Sequence, residues 1–224
     1  MANPLTTARN KYSQNKKCSS IYTPKGICNF LFSILTPYVK DYLNLSGKRF
    51  IIDPAVGTGN LLEPFKRFDD LYNYGIKTIG FDIKDCPDRK YTDVFVKKDF
   101  LSNEISDRDV TVTYGKKVLF VICNPPFNND TESKYNKKLL PELFAKEVFE
   151  TYGYDTPLVL FAPMEFRLNN RKISKRLKYF SSNDCKAKIT SIISLPLDIF
   201  PGVEFLNEIL LWNFPKFYLE AHYW

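Results

Sequence analysis

A chain of 224 residues suits one domain with a full core, and 44% hydrophobic with 25% charged residues is the composition of an ordinary soluble protein. No run approaches the ~20 apolar residues of a membrane-spanning helix, and the basic opening MANPLTTARNKYSQNKKCSS lacks the apolar centre of a secretory signal, so a cytoplasmic protein encoded by a bacterium or phage, without a membrane partner, is expected. A net charge of +7 favours a polyanionic partner, because basic contacts to phosphates release condensed counterions, while five cysteines without a CxxC pair and a single histidine, His222, argue against a metal site.

Residues 1–20 read as a basic extension and 21–224 as the folded domain. The first helical pattern, 24–45, has Pro24 in its first turn and an interior Pro37 that should kink or split it. Seven apolar runs then read as strands: 49–53, 78–83, 94–100, 118–124, 157–163, 189–196 and 207–214. Several are short, continuous and β-branched, as strands covered on both faces should be. Helical patterns at 59–73, 137–152 and 169–180 separate them. The last two strands lie close together in sequence, which suits an antiparallel pair. The expected fold is α/β: a Rossmann-like, doubly wound, seven-stranded sheet, mostly parallel, with a reversed strand near the C-terminus.

The chemistry gathers where strands end. In IIDPAVGTGNLLEPF, Asp53 closes a strand, and Gly57 and Gly59 permit a tight turn and close approach of a ligand to the backbone. The dinucleotide pattern GxGxxG fails, since its third glycine position is Leu62. Asp82 ends the second strand, where it would accept hydrogen bonds from ribose hydroxyls or simply cap a turn, and Ile83 would lie against an adenine ring. Asp99 and Phe100 close the third strand, and Asn124, Pro125, Pro126 and Phe127 follow the fourth. Four neighbouring strands thus finish on Asp, Asp, Asp and Asn, a convergence expected of a binding crevice.

These motifs together resemble the S-adenosylmethionine-dependent N6-adenine DNA methyltransferases whose cofactor motifs precede an NPP[FYW] motif, enzymes found in restriction-modification systems. YTPKGICNFL is similar to the segment preceding their glycine loop, DPAVGTGNLL to their DPACGSGxFL with Val56 in place of cysteine, and FDI, KDFL and NPPF follow at family-like spacing. SLPLDIFPGVEFLNEILLWNF is similar to their late strand pair. The resemblance implies an S-adenosylmethionine-dependent methyltransferase domain over 21–224. Its cofactor would be held by Thr23, Pro24, Asp53, Ala55, Gly57, Gly59, Asp82, Ile83, Asp99, Phe100 and Asn124. It further implies that the Asn124 side-chain oxygen and the Pro125 carbonyl accept the two protons of an adenine amine, with Pro126 stiffening the backbone. Phe127 would stack on the flipped base, and Phe200, or failing that Phe205, would press its other face.

Basic residues bordering this edge, Arg167, Arg171, Lys172, Lys175 and Arg176, are candidate phosphate contacts, with a solvated helix face as the plain alternative. Most members of the resembled group carry a target-recognition domain, whereas this chain stops soon after its last predicted strand. DNA is the expected partner, with RNA open as an alternative and a separate specificity subunit as a further candidate partner. N4-cytosine methylation and a non-catalytic, methyltransferase-like binding subunit also stay open. Glutamine methylation ranks below these, because such enzymes carry an N-terminal helical module for which the residues before Tyr22 leave no room.

Overall fold

Seven strands form a single sheet in the order β3-β2-β1-β4-β5-β7-β6. They are β1 (Phe50–Asp53), β2 (Lys77–Asp82), β3 (Val94–Lys97), β4 (Val118–Cys123), β5 (Leu158–Pro163), β6 (Ile189–Leu195) and β7 (Asn207–Trp212). The computed structural model describes residues 22–47, 49–86, 89–102, 118–127, 139–168, 187–197, 199–200 and 206–215. The basic extension 1–20, the helical pattern 169–180 with Arg171, Lys172, Lys175 and Arg176, and Phe205 lie outside the described residues. Strands β1 to β5 pair in parallel, and β7 runs antiparallel to both β5 and β6. The reversed strand expected near the C-terminus is therefore β7.

Burial follows strand position. Every residue of β4, β5 and β7 is buried, because each has a strand on either side and side chains packed on both faces. The edge strand β6 instead alternates between half-buried and exposed over most of its length. Alternating side chains divide the core in two: Ile51, Phe120, Ile122, Val159, Phe161, Ile209 and Leu211 belong to one cluster, and Ile52, Val121, Cys123, Leu158, Leu160, Leu210 and Trp212 to the other.

Helices α1 (Lys25–Ser46) and α2 (Glu63–Tyr72) cover the first face, and α3 (Leu140–Tyr152) covers the second; α4 (Glu165–Leu168) is a single turn after β5. In α1 the buried residues Cys28, Leu31, Leu35, Tyr38, Val39 and Leu43 recur every three or four positions, the signature of an apolar helical stripe. Pro37 does not split this helix, which runs 22 residues without a break until Gly47 ends it at φ 66°. Pro37 removes the hydrogen bond to the Ser33 carbonyl, but both residues are exposed, so solvent has access to this turn of the helix. Among the described residues, no helix is long and apolar enough to cross a membrane.

The turn after β1 folds back over β2. Val56 donates its N–H to the Phe81 carbonyl at 2.9 Å, and its side chain covers Gly80. A Cβ on Gly80 would lie 2.7–2.8 Å from the Val56 side chain, so the bare strand position and the branched loop residue fit only as a pair. Gly80→Ala should therefore cost ~1–3 kcal/mol by overpacking. Much of that loss should return in the Val56→Ala background, giving a double-mutant coupling of about 1 kcal/mol or more in urea unfolding.

Candidate active site

The chain winds outward from β1 through β2 and β3, then returns to place β4 on the other side of β1. That reversal opens a crevice at the carboxyl ends of β1 and β4, the edge at which open α/β sheets bind ligands. Asp53 is the last residue of β1, Asp82 the last of β2, and Asn124 immediately follows β4, so all three sit at this edge.

Asn124 donates its side-chain Nδ2 to the Thr23 hydroxyl at 3.0 Å. The Thr23 carbonyl accepts from Asn60 Nδ2 at 3.1 Å and from the Cys28 thiol at 3.7 Å. Buried Thr23 thus joins the segment leading into α1, the glycine turn and the NPPF motif. Pro24 follows as the residue capping α1, its carbonyl accepting from the N–H groups of Ile27 and Cys28 at 3.0 and 3.1 Å. With Nδ2 committed to Thr23, the amide's acceptor end is Oδ1. Pro125 is buried and Pro126 exposed, and both lack an N–H and hold φ narrowly, which stiffens the backbone around the Pro125 carbonyl.

The glycine turn is packed by the chain's own residues. Gly57 (φ 51°) and Gly59 (φ 88°) do occupy left-handed conformations. Yet a Cβ on Gly57 would lie 3.0 Å from the Tyr22 ring, and one on Gly59 would lie 2.1 Å from the Lys90 carbonyl oxygen. The space each glycine leaves is therefore filled by the chain's own Tyr22 and Lys90. Half-buried Ala55 donates its N–H to Asp53 Oδ1 at 3.0 Å.

Asp82 takes up the turn contacts of its position. Its Oδ2 accepts the Gly57 N–H and its Oδ1 accepts the Lys84 N–H, each at 2.9 Å, so the carboxylate ties the glycine turn to the segment after β2. Each oxygen keeps a second lone pair for a ligand hydroxyl. Ile83 is 61% exposed beside it, an apolar surface at the crevice edge. Arg89, which carries no sequence signal, completes this region: Nε donates to the Gly57 carbonyl and Nη2 to the Lys84 carbonyl, each at 2.9 Å, with the guanidinium 3.5 Å from the centre of the Phe95 ring.

Other candidates take structural positions. Asp99 accepts the Leu101 N–H at 3.0 Å and forms the turn that ends the β3 segment. Phe100 is a core ring, set edge-on to Phe81 and stacked with Phe144 and Tyr152. Phe127 is 8% exposed and Phe200 2%, and both belong to the cluster beneath α1 and α2, with Phe200 edge-on to Phe161 at 6.2 Å. Neither ring presents an open face for a base in this structure, because apolar packing covers them both. Arg167, expected as a phosphate contact, grips both oxygens of buried Glu208 at 3.2 and 2.8 Å. A buried carboxylate requires such a partner, and the bidentate fork commits the guanidinium to Glu208 although the Arg167 side chain is 37% exposed.

Burial pushes the Asp53 carboxyl up to about 8; the Ala55 N–H opposes the shift and the nearby Asp82 charge adds to it. The folded chain therefore holds this proton to about pH 8, whereas an unfolded chain releases it near the ordinary carboxylate value of ~4. Unfolding between those values releases a proton, so Asp53 makes stability fall as pH rises through this window. Asp53→Asn keeps an acceptor for Ala55 and removes the titration. Relative to the wild type it should gain stability between pH 5 and pH 8, by up to about 4 kcal/mol, measured by urea unfolding at the two pH values.

No family model and no curated protein matches this chain. Solved structures do. A protein of Listeria monocytogenes provisionally assigned as a class I S-adenosylmethionine-dependent methyltransferase superposes with a TM-score of 0.62 at 18% identity, over 93% of this chain and 65% of that one. The type IIL restriction-modification enzyme MmeI, solved in complex with DNA, gives a TM-score of 0.54 at 12% identity, over 85% of this chain and 36% of that one. The chain thus spans less than two thirds of either. At these identities the likeness is one of fold, and the fold is the Rossmann-like one of the class I methyltransferases.

Proposed function

We propose that this protein transfers a methyl group from S-adenosylmethionine to the exocyclic N6 amine of adenine in DNA. The observation that carries the reading is the Asn124 amide, anchored through Nδ2 by Thr23 at the carboxyl end of β4, next to the buried acid that ends β1. The residues present fit the cofactor. Asp82 retains lone pairs for a ribose diol, its carboxylate suits a ligand carrying a cationic ammonium and sulfonium, and Ile83 offers an apolar surface for a purine. Thr23, Pro24 and Asp53 would hold its methionine end, and Asp82 and Ile83 its nucleoside. When bound, S-adenosylmethionine supplies an electrophilic methyl group, and alignment and amine activation fall to the chain.

An adenine amine is a poor nucleophile, because its lone pair is delocalised into the ring. Two acceptors aimed at its two protons draw off developing positive charge and localise that lone pair toward the methyl carbon. The Asn124 Oδ1 and the Pro125 carbonyl fill these roles, held by Thr23 and by the paired prolines. The surplus amine proton, acidic once the nitrogen carries the methyl group, would leave along the Asn124 Oδ1 hydrogen bond to solvent, so no strong general base is needed. Stacking of the extruded base on Phe127 requires that ring to turn out of its cluster, and Phe200 would follow on the other face of the base. The fold shared with a DNA-complexed restriction-modification enzyme supports DNA as the polymer, as does the net charge of +7.

Incubation with isotope-labelled S-adenosylmethionine and separate pools of duplex DNA, single-stranded DNA, RNA and protein tests this directly. Digestion and mass spectrometry should find the label as N6-methyladenine in DNA. Asn124→Ala should lower turnover ~10²-fold or more while cofactor affinity stays within a few-fold. Thr23→Val should lower turnover ~5–10-fold, as expected for one lost neutral hydrogen bond, and Thr23→Ser should retain it. Label confined to another polymer or another atom, or full activity in Asn124→Ala, overturns the reading.

A further inference from the structure

We infer that Arg89 is a positioning residue that pre-forms the nucleoside half of the cofactor site, an assignment that rests on the proposed S-adenosylmethionine reading. Asp82 and Arg89 hold the same two residues, Gly57 and Lys84, by their opposite backbone groups. The N–H groups of Gly57 and Lys84 donate to the Asp82 carboxylate, and the carbonyls of Gly57 and Lys84 accept from the Arg89 guanidinium, all four distances being 2.9 Å. The result is a closed ring of hydrogen bonds through which the glycine turn and the segment after β2 fix each other. These are the two chain segments that flank Asp82 and Ile83.

Neighbouring contacts reinforce the ring. Lys90 donates its N–H to the Thr58 carbonyl at 3.2 Å, and its own carbonyl fills the space beside Gly59. The guanidinium lies flat enough on Phe95 to bring its carbon within 3.5 Å of the ring centre, and the Arg89 side chain is only 5% exposed. Its ion partner, Asp85, lies 3.7 Å away with an exposed side chain. An enclosed cation is a poor means of stabilising a fold, since an apolar side chain of similar volume would fill the space at lower desolvation cost. What an apolar side chain lacks is a rigid fork of donors reaching two loops at once. That fork keeps Asp82 and the Gly57 backbone in place before a ligand arrives, which removes an ordering cost from binding.

Calorimetric titration with S-adenosylmethionine and amide hydrogen exchange, on the wild type and on Arg89→Met, Arg89→Lys and Phe95→Leu, test the assignment. Arg89→Met should bind the cofactor about tenfold more weakly or worse, with faster exchange at the Gly57 and Lys84 amides and unchanged protection in β4 and β5. Its turnover at saturating cofactor should stay within about twofold of the wild type, as a lost ground-state contact requires. Arg89→Lys should not restore affinity, because a point charge on a flexible stem lacks the fork, and Phe95→Leu should fall between. Cofactor affinity in Arg89→Met within about twofold of the wild type overturns the assignment alone, as does a uniform loss of protection across the sheet. No cofactor binding by the wild type overturns the cofactor reading and this assignment with it.

Discussion

One threonine holds the site together. The hydrogen bond from Asn124 to Thr23 spans 101 positions of sequence, and the Thr23 carbonyl takes a second bond from Asn60 in the glycine turn. Three segments that meet only in the folded chain are thereby set against one another: the lead into α1, the turn after β1 and the motif after β4. The parallel pairing of β1 with β4 brings these segments within reach, and Thr23 fixes the remaining freedom. A side-chain amide can rotate and can exchange its two ends, and a committed Nδ2 constrains both.

The crevice is costly to maintain, and the surrounding fold sustains it. Asp53 is 1% exposed, with the Ala55 N–H as its hydrogen-bond donor among the described residues, so its carboxyl is held protonated well above the ordinary range. Arg89 is enclosed, and Gly57 and Gly59 sit at positive φ. Against these stand three fully buried strands, β4, β5 and β7, and helices packed on both faces of the sheet. The contrast between an apolar interior and a polar, constrained strand edge is the pattern of a site whose local cost is carried by its scaffold.

Much of this architecture was legible in the sequence, because its signals are short-range. A continuous apolar run followed by Asp or Asn marks a buried strand and its end, and the apolar spacing within α1 marks its buried face. What was not legible depends on residues far apart. Nothing near Arg89 announces that it reaches Gly57, 32 positions away, and nothing in GTG says that Tyr22 and Lys90 fill the open sides of its glycines. Phe127 and Phe200 share a letter with any core ring, and only packing distinguishes a platform from a filler. Arg167 reads as a phosphate contact, and only the structure shows this exposed residue paired with the buried Glu208. Pro37 reads as a helix breaker until its carbonyl partner is seen to face solvent.

The two halves of the crevice differ in readiness. On the side proposed for the nucleoside, Asp82 and the backbone groups bonded to it are already arranged. On the opposite side, the rings assigned to a target base are packed into the core. Uncovering a buried phenylalanine forfeits ~1.5–3 kcal/mol of apolar burial, and stacking a base on it returns ~1–3 kcal/mol. The two terms are of one size, so the aromatic platform by itself supplies almost no net drive toward base capture. Extruding the nucleotide costs a few kcal/mol more. On the proposed reading that deficit falls to contacts with the phosphate backbone, a role for the chain's excess of Lys and Arg over Asp and Glu. Stacking would then select which base stays, and charge would decide whether the polymer is held long enough for a base to enter.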